Sequence, residues 1–265
     1  MSIYDDKLIL IYFCVLSLIV GAVLGSFLNC AAWRIAHGES FVSGHSRCTS
    51  CGHELAPVDL IPVVSWLMLH GKCRYCGAPV SKRYIAAELA FAAITLITLL
   101  RFDLTPIMLR NLVFTACLFC LSIVDLESFT VPNGTLIIAA TAWLIAAPFT
   151  GMSATEMLRH LSAGFTVGAV LLVISLVMDV LLKKESLGGG DIKLFAVTGL
   201  YEGFAGALFG VFISCLLGLM LAALYAKLPH DEEGHFPFGP AIAASAFIML
   251  ICGEQLVNWY LGLIF

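Results

Sequence analysis

The 265-residue chain is 60% hydrophobic and only 12% charged, with a formal net charge of −4. Soluble domains carry roughly 45–50% apolar residues, so this composition excludes a water-soluble globule and points to a multi-pass membrane protein. The chain has no basic tract and no aromatic pattern suited to base stacking, which sets nucleic acid aside as a partner.

A helix needs about 20 apolar residues to cross the hydrocarbon core. Such runs fall at 8–28, 84–100, 107–124, 135–149, 157–182, 191–202, 204–226 and 239–264, predicting an all-α polytopic membrane protein with about eight transmembrane helices. The first run starts from Asp5 and Asp6 and is too long for a signal-peptide core, so it is expected to remain as a helix. The sixth is short for a full crossing and is expected to be tilted, broken, or joined to the seventh through Gly199 and Gly203. With both termini on the non-cytoplasmic side, the cytoplasmic loops 29–83, 125–134, 183–190 and 227–238 and their flanks hold Arg34, Arg47, Lys72, Arg74, Lys82, Arg83, Lys183, Lys184, Lys193 and Lys227. Only Lys7, Arg101, Arg110 and Arg159 fall on the other side, and the positive-inside rule favours this orientation. The organisation expected is a first transmembrane helix over 1–28, a cytoplasmic loop domain over 29–83 and a transmembrane core over 84–265.

Within that loop, Cys48-Thr-Ser-Cys51 and Cys73-Arg-Tyr-Cys76 are two CxxC pairs, each followed by glycine. Two thiolates from each tight turn complete a tetrahedral shell, so the spacing predicts a zinc site, with iron as the alternative metal. Disulfides are the competing reading, disfavoured in a reducing cytosol. Four thiolates leave no open coordination position, which makes the metal structural. His37, His45, His53 and His70 share the loop but are not needed as ligands. The remaining cysteines sit mostly in apolar runs and read as small buried hydrophobes.

Asp125 ends the third apolar run, just before Val131-Pro132-Asn133-Gly134. Gly188-Gly189-Gly190-Asp191 opens the sixth. Glycine lets another backbone approach closely, and a carboxylate at a membrane boundary is costly unless used. Both aspartates fall at the cytoplasmic ends of their runs. Two carboxyl groups brought together cannot both ionise cheaply, and one charged and one protonated member is the arrangement of aspartic proteases. The bland readings are a flexible loop for the glycines and solvated charge for the acids. Among the other polar residues, Asp179 is expected to pair with Lys183 at i,i+4. Glu88 reads equally as a packing partner or part of a second polar site, and Lys193 as a snorkelling lysine or a neighbour tuning Asp191.

Taken in order, Gly25-Ser-Phe-Leu-Asn29, the two CxxC pairs, Asp59-Leu-Ile-Pro62, Arg83-Tyr84 with Glu88-Leu89, Asp125 with Pro132-Asn133, Gly188-Gly-Gly-Asp191 with Lys193-Leu194, and Pro237-Phe-Gly-Pro240 resemble the type IV prepilin peptidase family. The resemblance runs over nearly the whole chain. It implies a bacterial inner-membrane aspartic endopeptidase with Asp125 and Asp191 as the catalytic pair. The implied substrates are prepilins and pseudopilins, cut on the cytoplasmic side at a glycine–hydrophobic junction. The tetracysteine loop resembles that of bifunctional members, which methylate the new amino terminus using S-adenosylmethionine. No methyl-donor site is assigned from the residues. Two rivals stand at this point: a presenilin-like intramembrane protease, against which no Tyr-Asp pair or Pro-Ala-Leu is present, and a metal-stabilised scaffold or ion carrier.

Overall fold

The computed structural model describes residues 3–41, 44–184, 186–225 and 236–264. Most of the expected 227–238 loop, with Lys227, lies outside them. The described residues form helices α1 (Lys7–Ala36), α2 (Val64–Met68), α3 (Lys82–Phe102), α4 (Pro106–Ser128), α5 (Asn133–Ala146), α6 (Ala154–Leu182), α7 (Gly189–Tyr225) and α8 (Gly239–Ile264), with short 3-10 turns between some of them. Seven are long and apolar enough to cross a membrane, α5 together with the 3-10 turn that follows it. Their outer faces keep large apolar side chains bare, as at Phe165 and Val180, each 78% exposed. Water would penalise such a surface and lipid does not.

The helix ends follow local chemistry. Asp6 caps α1 by accepting the Leu8 amide, Ser81 caps α3, and Ser153 with Glu156 forms a reciprocal capping box at α6. Helix α1 runs on through residues 29–36, into the stretch expected as loop, because nothing in Asn29–Ala36 breaks a helix. The sixth and seventh apolar runs meet at a break at Gly203, so α7 consists of two helical arms, 189–202 and 204–225, that match the two expected runs; counted together as one helix they give the seven long apolar helices. Gly203 adopts φ 68° and ψ −178°, a conformation strained for any residue with a Cβ. The arm before the break, 189–202, is about 21 Å long at 1.5 Å per residue, which explains why it read as too short to span. The expected Asp179–Lys183 pair is not formed: Asp179 accepts the Ser186 amide at 2.6 Å, and α6 ends at Leu182 with Lys183 in the left-handed region, off the helical repeat an i,i+4 pair requires.

The chain divides into two compact units, Met1–Met108 and Leu109–Phe265. In the first, α1 packs against α3, and Gly21 and Gly25 bring α1 against Ala92, Thr95, Ala87 and Glu88 with no room for a Cβ. Glu88 is buried and accepts the amide of Val63 at 2.6 Å, tying the loop to α3. That resolves Glu88 as a packing partner. In the second unit, Phe114, Leu118 and Leu121 of α4, Trp143 of α5, Leu194 and Tyr201 of α7, and Ile242 of α8 form one core. Tyr201 stacks on Phe114 with ring centroids 3.7 Å apart and donates to the Ala139 carbonyl at 2.7 Å.

Candidate active site and metal centre

Asp125 lies one turn before the end of α4 and is 4% exposed. Its carbonyl accepts the Phe129 amide, and Phe129 at φ 52° turns the chain out of the helix toward Val131 and Pro132. Pro132 cannot continue a ladder and leads directly into α5. At the start of α7, the Gly188 carbonyl accepts the Asp191 amide at 3.0 Å, so Asp191 occupies the first turn. Gly190 lies so close to Val131 that a Cβ there would fall 2.9 Å from the valine Cβ. Lys193 Nζ donates to Asn133 Oδ1 at 3.1 Å, closing the same junction. The α7 entry is thereby held against the α4–α5 connection, which brings Asp191 to the same end of the second unit as Asp125.

A third element completes the site. The backbone amide of Gly239, at the first position of α8, donates to Asp125 Oδ2 at 2.8 Å. The first amides of a helix have no partner within it and carry its positive pole, so carboxylate and helix end complement each other. In the sequence Pro237-Phe-Gly-Pro240 carries only the family resemblance; a proline just inside a helix start is the signal that an amino-terminal amide is offered there. Lys193 has Asn133 as its partner. Beside these groups, Asn133, Leu136, Ile137, Ala140, Lys193 and Val197 line a shallow groove of ≈ 480 Å³ between α5 and α7, polar at the Asn133–Lys193 lip and apolar beyond it.

The four cysteines meet as their spacing predicts. The sulfurs of Cys48, Cys51, Cys73 and Cys76 all lie within 4.8 Å of one another, with Cys48 and Cys76 3.9 Å apart. A tetrahedron with metal–sulfur bonds of about 2.3 Å has sulfurs about 3.8 Å apart, so the donor set fits a bound metal. The two halves are built alike. Gly52 and Gly77, both at φ 71°, donate to the carbonyls of Cys48 and Cys73 at 2.9 Å, and the amides of those cysteines bond to His53 and Ala78. Backbone amides of Cys51 and Ser50 draw the Cys48 thiol down to about 6. The Ala78 amide pulls Cys76 the same way, yet burial and the adjoining sulfurs outweigh it and push that thiol up to about 11. Four sulfurs this close ionise together only around a cation. His45 pairs with Glu54 at 2.8 Å and His53 stacks on Tyr75, so neither enters the cluster.

Asp59 joins the second knuckle to the rest of the loop. It accepts from Arg74 Nε at 2.6 Å, Tyr75 Oη at 2.9 Å and the Ala56 amide at 3.2 Å. Burial opposes its charge, but these donors prevail and hold its carboxyl below the ordinary value.

Comparison with known proteins extends across the same regions. A family profile described as the bacterial peptidase A24 N-terminal domain matches residues 19–102, and one described as the type IV leader peptidase family matches residues 112–223. A protein of Bacillus subtilis named prepilin leader peptidase/N-methyltransferase is 31% identical over 248 residues, covering 92% of this chain and 96% of its own. Proteins with the same name from Pseudomonas aeruginosa and Myxococcus xanthus are 29% and 34% identical, covering 94% and 83% of this chain and 93% and 67% of their own. No solved structure gives a significant match.

Proposed function

We propose, from the premise that this chain belongs to the type IV leader peptidase family, that it is a membrane aspartic endopeptidase removing the leader from prepilins and pseudopilins. The observation that carries the reading is the set of Gly190–Val131 and Lys193–Asn133 contacts that bring the start of α7, with Asp191, to the end of α4, with Asp125, and the α8 amide bound to Asp125. Asp125, facing the positive end of α8, is the charged member and takes a proton from water. The resulting hydroxide-like oxygen attacks the scissile carbonyl while Asp191, holding a proton, donates to the carbonyl oxygen. The tetrahedral intermediate collapses with a proton passing to the leaving amine, and the pair returns to its starting state. Gly190 lets the α7 entry close on Val131, and Gly188 and Gly189 before it, of which Gly189 faces open space, leave room for a substrate backbone.

The substrate chemistry fits this depth. A basic leader meets headgroups while the apolar stem stays in lipid, and the groove between α5 and α7 offers that stem an apolar wall next to the aspartates. The lysine and arginine distribution supports a cytoplasmic site, with both termini on the other face of a bacterial inner membrane. Cys48, Cys51, Cys73 and Cys76 hold zinc in a structural role, since all four coordination positions are filled by the protein. The relatives' name and the tetracysteine loop support methylation of the new amino terminus. S-adenosylmethionine supplies the methyl group in that reaction; no residue is assigned to it.

The test is mass spectrometry of a co-expressed prepilin with the parent chain and with Asp125→Asn and Asp191→Asn. Leader loss and a methyl increment are expected with the parent only. Full cleavage by either folded variant removes that residue from the pair, and an intact prepilin with the parent removes the substrate assignment.

A further inference from the structure

The loop of the first unit carries an apolar surface that neither the metal centre nor the proteolytic site uses. In the stretch 57–71 the one charged residue is Asp59, neutralised by Arg74. Around it Val58, Leu60, Ile61, Val64, Leu67 and Met68 are 43–75% exposed. Val64, Leu67 and Met68 stand at i, i+3 and i+4 and share one face of α2. Trp66 on the other side is turned inward, with its indole N–H on the Val80 carbonyl and its ring against Gly71. The short helix therefore has an anchored face and a bare apolar face.

Its height along the membrane normal follows from Glu88. Residue 88 lies one and a half turns past Arg83 on α3, about 7.5 Å further along the axis. Helical side chains lean toward the amino-terminal end, so its carboxylate reaches back toward the loop by roughly a turn. The Val63 amide bonded to it thus sits at about the level of Tyr84, just inside Lys82 and Arg83. The packing of Gly25 on Glu88 sets the register of α1 against α3, so the level of Tyr84, about one turn nearer the loop, falls near Asn29 of α1, five residues before Arg34, its first charge on that side. At that height an apolar face meets the headgroup–acyl boundary, and Lys82, exposed at the start of α3, stands beside it at headgroup level.

We propose that residues 57–69 form an interfacial element, with the Val64–Leu67–Met68 face embedded in the bilayer that α1 and α3 cross. Its occupant is phospholipid. The element fixes the metal-bearing knuckles against the membrane surface from one side, while Glu88 holds them from the other. The inference depends on neither proteolysis nor methyl transfer.

The full chain is placed in nanodiscs of phosphatidylcholine and phosphatidylglycerol with a diazirine amino acid in place of Met68, and separately in place of Lys72. Irradiation followed by mass spectrometry identifies the adducts. Phospholipid adducts several-fold more abundant at position 68 than at 72 are expected. Equal yields at the two positions overturn the proposal. Adducts from 68 predominantly to peptides, of this chain or of added prepilin, also overturn it, the latter marking a protein-docking face. Placing the label at Leu67 repeats the comparison should the Met68 variant fail to accumulate.

Discussion

Replacing Gly239 by alanine tests whether the α8 amide is part of the proteolytic apparatus. A Cβ built on Gly239 falls 2.8 Å from Asp125 Oδ2 and 3.1 Å from its Cγ, inside van der Waals contact on both atoms. Either the carboxylate rotates away or the start of α8 retreats, and both movements break the 2.8 Å bond from the Gly239 amide. Hydrogen bonds to charged groups contribute about 1.5–3 kcal/mol. If that bond supports Asp125 in the transition state, its loss lowers kcat/KM by roughly tenfold to 150-fold, at about 1.4 kcal/mol per tenfold. The assay is initial-rate cleavage of a purified prepilin by reconstituted protein, with thermal unfolding measured on the same samples. Gly262→Ala is the matched control, because a Cβ there meets nothing within 4 Å on the same helix. Gly239→Ala activity equal to that of Gly262→Ala would refute the argument, as would a loss fully accounted for by unfolding.

Three further outcomes are expected. Serine at any of Cys48, Cys51, Cys73 or Cys76 removes a thiolate from a four-sulfur shell and should lower bound metal, read by elemental analysis, while raising protease sensitivity of 44–80; an unchanged metal content rules out that cysteine as a ligand. Asp59→Asn removes a carboxylate whose folded-state value is depressed, so its contribution to loop stability is present above the ordinary carboxylate range and lost as pH falls through the lower folded value. Limited proteolysis should show the parent loop loosening over that acidic window and the variant already looser at neutral pH, and identical profiles would dismiss the Asp59 network. Neither Glu202 carboxylate oxygen has a hydrogen-bond partner among the described residues, so Glu202→Leu should stabilise the second unit by about 1–3 kcal/mol. A lower unfolding midpoint in lipid would show instead that the carboxyl is engaged.

Much of the site was legible because its signals are local. The CxxC spacing compels two tight turns, and each turn brings its own glycine into the left-handed region, so the knuckles could be read from ten residues. The spans were legible as apolar runs. The break in α7 was half visible: Gly203 marked the place, but whether two runs are two helices or one depends on backbone angles at a single residue. Asp179 shows the opposite case, where a correct helical spacing to Lys183 failed because the helix ended one residue too soon.

Composition alone determined that the chain lives in a membrane, since so few charges cannot cover a water-facing surface. Short-range pattern picked out the four cysteines that the fold brings together and singled out the two aspartates. Tertiary structure decided what lies against them: the Gly239 amide 114 residues from Asp125, the Asn133–Lys193 bond closing the α5–α7 junction, and Glu88 reaching back to Val63. Those contacts join elements distant along the chain, and no periodicity encodes them. The first and last exist because an amide at a helix start or a strained turn, once buried, must find an acceptor, and the Asn133–Lys193 bond because α5 and α7 pack side by side; only the packed helices determine which partner is near.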